Sequence, residues 1–261
     1  MAQKIPFLSD FASLQGKRGI VVGGTSGIGR AIVQEVARAG ADVLIHGGHR
    51  EDAAQKLAKE IQQTGVMADY LMADLQAPDS AHQLVDRAWD RFGPLDFWVH
   101  NAGADLLTTP EARASYQQKL QILLDVDVRA AILATKQAAQ RMIDSHGGSL
   151  LLIGWDQADR GMEGDSGELF AAAKNALMGF ARSLAVSVAP KVRVNCIAPG
   201  WIRTAWGEKT SEVWQQRVLR ETPLARWGLP EDIAKLARFL LSDEASYLTG
   251  QVINANGGAI R

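Results

Sequence analysis

The 261-residue chain is 47% hydrophobic with a net charge of −1, enough to bury one α/β core or two small ones, and without a long basic or acidic run it does not suit nucleic acid or an anionic membrane surface. Its single cysteine, Cys196, sits in an apolar run and reads as a small core residue, which excludes a disulfide framework. No apolar segment approaches membrane-spanning length and the first 19 residues lack the core of a signal peptide, so a soluble cytoplasmic protein with no metal site is expected.

Residues 1–15 read as a short amphipathic arm, in which Phe7, Phe11 and Leu14 can cover part of a body formed by residues 16–261. The body opens on Gly19-Ile20-Val21-Val22, a β-branched strand that breaks at Gly23-Gly24. A helical pattern follows, with Ile28, Ala31, Ile32 and Val36 on one face and Gly40 as its stop. Strand, glycine turn and helix together present free backbone N–H groups and a positive helix end to a pyrophosphate. Gly23 permits positive φ, and Gly27 and Gly29 permit close approach of a cofactor, with Thr25, Ser26 and Ile28 in the same turn. The spacing is Gly-x-x-x-Gly-x-Gly, not the commoner Gly-x-Gly-x-x-Gly.

Further strand-like runs occur at 43–46, 66–72, 95–100, 150–153, 192–198 and 251–255, separated by helical patterns at 51–63, 79–92, roughly 115–143, 168–188 and 231–241. This alternation implies right-handed βαβ units, and hence one α/β domain: a doubly wound parallel sheet with helices on both faces. Ligands of such a sheet lie beyond the carboxyl ends of its strands. After the second strand stand Gly47-Gly48-His49-Arg50, where an NAD site usually places an acidic residue for the ribose. Arg50, His49 and Arg30 can instead meet a 2′-phosphate, so NADP(H) is favoured over NAD(H). Asp74-Leu75 follows the third strand, where the carboxylate can accept a hydrogen bond from adenine. Asn101-Ala102-Gly103 follows the fourth, a small-residue turn past which a cofactor can run.

From about Gly16 to Gly258 the chain resembles the short-chain dehydrogenase/reductase family. Besides the glycine turn, the resemblance rests on Asp74-Leu75, Asn101-Ala102-Gly103, Lys174, the run Pro199-Gly200-Trp201-Ile202-Arg203-Thr204, and the tail Tyr247-Leu248-Thr249-Gly250-Gln251…Asn256-Gly257-Gly258. It implies a Rossmann fold and an NAD(P)(H)-dependent oxidoreductase acting on a small molecule. Ile202 and Thr204 would contact the nicotinamide carboxamide, and Lys174 the nicotinamide ribose. Family members pair through the two long helices and the C-terminal strand, which implies a homotetramer or dimer. Val22 replaces the threonine usual there, and His100 a second asparagine.

The family's reductases hold and protonate the substrate oxygen with an asparagine, a serine, a tyrosine and a lysine. Here the tyrosine position falls on Phe170, the serine position on Trp155 or the adjacent Gly154, and the asparagine position on Asp127; Lys174 alone survives. Phenylalanine cannot exchange a proton and tryptophan offers a single N–H donor. The loop from Gly154 to Glu168 carries Asp156, Asp159, Glu163, Asp165 and Glu168 as possible replacement acids. Asp127 is expected to pair with Lys174, because a lone buried ammonium is costly, and that structural role is preferred to action as a base. Trp155, Phe170, Trp201, Trp206 and Trp214 are expected to cluster at the nicotinamide face, lining or filling a site for an apolar or aromatic ligand. Two functions follow. The favoured one is an NADP(H)-binding oxidoreductase with altered active-site chemistry. The other is a catalytically silent member, a ligand sensor or the silent subunit of a hetero-oligomer.

Overall fold

A computed structural model of the chain describes residues 11–259, so Phe7 lies outside the described residues. The strands are β1 (Arg18–Val22), β2 (Asp42–Gly47), β3 (Ala68–Met72), β4 (Phe97–His100), β5 (Gly148–Ile153), β6 (Val192–Pro199) and β7 (Val252–Ala255). They form one sheet in the order β3-β2-β1-β4-β5-β6-β7, parallel at every pairing. The order reverses between β1 and β4, which opens a crevice beyond their carboxyl ends.

The helices are α1 (Gly27–Arg38), α2 (Glu51–Gln62), α3 (Ser80–Phe92), α4 (Tyr116–Leu123), α5 (Ala131–Ile143), α6 (Asp165–Val188), α7 (Ala205–Lys209), α8 (Glu212–Glu221) and α9 (Pro230–Leu241). Neighbouring strand residues face opposite sides, so the apolar strands build two cores. Ile20, Val22, Leu44, Trp98, Leu152 and Val194 meet α3, α5 and α6 on one side. Val21, Ile45, Val99, Leu151 and Ile197 meet α1, α2 and α9 on the other. Phe11 stacks on Phe239 with centroids 6.0 Å apart and Leu14 is fully buried, so the end of the arm does cover the body. No helix of the described residues is long and apolar enough to cross a membrane.

Two features differ from the sequence expectation. The helix expected over 115–143 is two helices joined by a π-helical turn, Leu124–Ala130. Ser115 starts α4 with a reciprocal cap, its Oγ accepting the Gln118 N–H at 3.3 Å while Gln118 Oε1 accepts the Ser115 N–H at 2.9 Å. The wider turn carries Asp127, whose side chain it buries completely; turns of this kind often mark functional positions. The second feature is the pair α7 and α8, which weak periodicity had concealed. Helix α7 is five residues long, and α8 buries only Val218.

Candidate functional site

The glycine turn between β1 and α1 lies at the crevice. Gly23 has φ +77° and Gly27 φ +51°, both in the left-handed region. A Cβ on Gly29 would stand 2.0 Å from the Gly23 carbonyl oxygen, and one on Gly23 would stand 2.7 Å from Ala102 Cα. The turn is fixed from two sides. Asn101 Nδ2 donates to the Gly23 carbonyl at 2.9 Å. The Gly23 N–H donates to His46 Nδ1 at 3.2 Å, while His46 Nε2 donates to the Ala73 carbonyl at 3.0 Å. Those bonds require a neutral imidazole, and burial lowers the His46 pKa to about 4. Ser26 occupies the N-cap of α1 without capping it through its side chain, and no acidic residue lies in the first turn, so that helix end is left open to an anion.

The residues after the other strands are brought to the same crevice. Gly47 faces Thr25, and a Cβ there would come within 2.8 Å of Thr25 Cγ2. His49 and Arg50 are exposed, with Arg50 at the head of α2. Arg30 Nη2 pairs with Glu60 Oε2 at 2.8 Å, with both side chains partly exposed. Asp74 is exposed and its Oδ1 accepts the Gln76 N–H at 2.9 Å, shaping its own turn, while Leu75 is a core residue. Ile202 is nearly buried. The Thr204 methyl stands 3.4 Å from the point where a Gly27 Cβ would lie, so the run Pro199–Thr204 closes over the glycine turn. These small positions leave a backbone-lined cradle that side chains would fill, the form a dinucleotide needs.

Beyond the cradle, Lys174 Nζ lies 3.0 Å from Asp127 Oδ2, with side chains 12% and 0% exposed. Lys174 also donates to the Ile153 carbonyl at 3.3 Å, and Asp127 Oδ1 accepts the Ala104 N–H at 2.7 Å. Gly103 makes room for the pair, since a Cβ there would stand 2.7 Å from Asp127 Oδ2. Trp155 and Phe170 meet edge to face at 6.5 Å between centroids. His100 is buried and neither ring nitrogen has a protein partner among the described residues. Burial, reinforced by His46 and Lys174, holds its pKa down to about 3.

The aromatic side chains expected in one cluster form two. Trp201 and Trp206 pack against Trp227, and Trp214 against Trp201 and Trp206, with contacting centroids 5.6–6.4 Å apart; no ring contact joins them to Trp155 and Phe170 among the described residues. The loop acids also have separate partners. Glu163 pairs with Arg217 on α8, and Glu168 accepts from Tyr116 Oη at 3.2 Å. Asp156 is 2% exposed, accepts from Asn256 Nδ2 at 3.1 Å, and has its pKa raised to about 6 by burial. Sequence reasoning missed the roles of His46, Trp227 and Arg217, and named Asn256 in the tail without its bond to Asp156. His46 ends a strand one position before Gly47 and was legible as a turn support; the others depend on contacts between distant segments. No group of three His, Cys, Asp or Glu residues that could hold a metal occurs among the described residues.

Residues 22–259 match a family described as enoyl-(acyl carrier protein) reductase. The chain is 35% identical to the 3-oxoacyl-[acyl-carrier-protein] reductase FabG of Aquifex aeolicus, over 94% of this chain and 98% of that one. A short-chain dehydrogenase/reductase from Serratia marcescens superposes with TM-score 0.85 at 32% identity, covering 94% of this chain and 98% of its own. A short chain dehydrogenase from Burkholderia cenocepacia, solved in complex with NADP, superposes with TM-score 0.84 at 32% identity over the same shares. With the parallel sheet, the open glycine cradle and these relatives agreeing along nearly the whole chain, this protein belongs to the short-chain dehydrogenase/reductase family of oxidoreductases.

Proposed function

We propose that the chain binds NADP(H) in preference to NAD(H) and is an oxidoreductase whose active-site chemistry departs from the family's proton relay. The observation that carries the cofactor choice is the crowding at Gly47, whose Cβ would meet Thr25 at 2.8 Å: an acidic side chain for the ribose hydroxyls does not fit there, and Arg50 stands exposed nearby. Gly23, Thr25, Ser26, Gly27, Ile28 and Gly29 would hold the pyrophosphate, His49 and Arg50 the 2′-phosphate, and Asn101, Ala102 and Gly103 the adjoining backbone edge. Asp74 and Leu75 would border the adenine. Pro199, Gly200, Ile202 and Thr204 would meet the nicotinamide amide, and Lys174 its ribose.

When bound, the cofactor supplies or accepts hydride. Around it the chain offers no phenol and no hydroxyl at the Phe170 and Trp155 positions. A positioned general acid is worth about 10²–10⁴ in rate and an oxyanion donor about 10²–10³, so carbonyl reduction in the family's usual manner is heavily disfavoured. Asp127 holds Lys174, and Trp155 and Phe170 shape an apolar wall suited to an apolar or aromatic ligand. A second reading is a silent, cofactor-binding member, favoured by the edge-to-face contact that fills the space between the two substituted positions. We further propose a cytoplasmic homo-oligomer, tetramer or dimer, pairing through α4, α5 and α6. The exposed Leu133 on α5, Val186 on α6 and Leu124 in the turn between α4 and α5 support it, and light scattering that reports a 28.2 kDa particle would exclude it.

Tryptophan quenching on titration with NADPH and NADH tests the cofactor reading. Tighter NADPH binding is expected. Tighter NADH binding, or an Arg50→Ala variant with unchanged NADPH affinity, contradicts it.

A further inference from the structure

Asp127 and Lys174 form a buried pair without net charge below the nicotinamide end of the cradle, and we infer that the Asp127 carboxylate biases the site towards the oxidised, positively charged form of the dinucleotide. The inference rests on the cofactor reading above. The carboxylate has the Lys174 ammonium 3.0 Å from Oδ2 as an ion pair and accepts the Ala104 N–H at Oδ1, 2.7 Å away. Gly103 keeps the backbone close, since a Cβ there would stand 2.7 Å from Asp127 Oδ2 and 3.4 Å from Lys174 Nζ. Asp156, with its pKa raised to about 6, is ionised at neutral pH, but it is common to wild type and variants and so leaves the comparison between them unchanged. Burial leaves His100 neutral, with its pKa near 3, and pushes the Cys196 thiol up to about 12.

An uncharged side chain at position 127 would leave the Lys174 ammonium unpaired, beside a ring that is cationic when oxidised and neutral when reduced. At an effective dielectric of about 20, one such charge shifts the ratio of the two affinities by about ten-fold even from a distance of about 12 Å. A tighter hold on the oxidised form makes the bound reduced form the stronger hydride donor, by about 30 mV for a ten-fold ratio in a two-electron couple. When bound, the reduced dinucleotide would supply a hydride with its electron pair to an acceptor carbon, and the proton that completes the reduction would have to come from solvent, since neither Trp155 nor Phe170 can give one. A stronger donor suits a site with no phenol to protonate in step.

The test is the ratio of dissociation constants, Kd for NADP⁺ over Kd for NADPH, measured by calorimetric titration. The proteins are wild type, Asp127→Asn and the double variant Asp127→Asn with Lys174→Met. Both forms share the same ribose, so the lost Lys174 contact cancels in the ratio. Asp127→Asn is expected to raise the ratio about ten-fold, and the double variant, again without net charge, to return it to within about two-fold of wild type. Asp127→Ser, also uncharged, carries the same expectation should the amide variant fold poorly. A ratio unchanged in the uncharged variants overturns the inference and leaves the cofactor reading standing. Wild-type protein that binds neither form overturns both.

Discussion

Trp155 and Phe170 stand with ring centroids 6.5 Å apart and planes at 68°, an edge-to-face contact that closes the space between β5 and α6. Such a pair is worth about 0.5–1.5 kcal/mol beyond its buried area, and on the proposed reading it holds an indole where the family's reductases receive a substrate oxygen. Phe170→Tyr alone is therefore expected to leave ketone reduction at background. Trp155→Ser combined with Phe170→Tyr restores both an oxygen-holding hydroxyl and a proton donor, and should raise NADPH oxidation by about 10²-fold or more. Equal rates in the single and double variants would show that the indole does not block the site.

Lys174 leaves a fully buried carboxylate behind when it is removed. Lys174→Met is expected to destabilise the fold by about 3 kcal/mol, read as a lower urea midpoint. Asp127→Asn leaves the Lys174 ammonium unpaired in turn, but that group is 12% exposed and keeps its bond to the Ile153 carbonyl, so the loss should be smaller, about 1–3 kcal/mol. Equal losses would mean that the pair is solvated in solution.

The pH dependence of stability has two opposing parts. The folded-state pKa of His46 is lowered from 6.5 to about 4 and that of His100 from 6.5 to about 3. Their contributions are present above 6.5 and are lost as the pH falls through those lower values. Asp156 is raised from 3.8 to about 6. Its contribution is complete below 3.8 and is lost as the pH rises through about 6. Asp156→Asn should therefore gain on wild type between pH 4 and 7 in urea unfolding, and both proteins should still weaken on the acid side. A constant difference across that range would place the Asp156 carboxyl in water.

Gly29 and Gly48 make a contrasting pair. A Cβ on Gly29 would stand 2.0 Å from the Gly23 carbonyl oxygen and 2.6 Å from Asn101 Nδ2, whereas one on Gly48 meets nothing within 4 Å. Gly29→Ala is expected to cost about 1–3 kcal/mol and to weaken NADPH binding at least ten-fold, while Gly48→Ala should change stability by less than about 0.5 kcal/mol. Thermal melts and NADPH titration of both variants decide it.

Much of this was legible in the sequence because it depends on local patterning. The β-branched run before Gly23, the alternation of strands and helices, and the small residues after each strand locate the sheet and cradle without any long-range contact. Asp127 was placed beside Lys174 by the family resemblance, which puts both at the active site, together with charge, since neither is stable buried by itself. The π-helical turn that delivers Asp127 was not legible, because residues 115–143 read as one helical period. The Arg30–Glu60 ion pair was not legible either, because Glu60 lies a whole helix away in α2. The division of the tryptophans into two groups depends on Trp227, which reaches Trp201 only through the loop that follows α8.

The central claim is an intact NADP(H) site beside a missing proton relay, and it is tested most directly by wild-type NADPH oxidation at saturating NADPH against a panel of ketones and 3-oxoacyl substrates. The expected result is no appreciable turnover by protein that visibly binds NADPH. Turnover near the ordinary rate of the family's reductases would contradict the account, and would mean that a group other than those at positions 155 and 170 holds and protonates the oxygen.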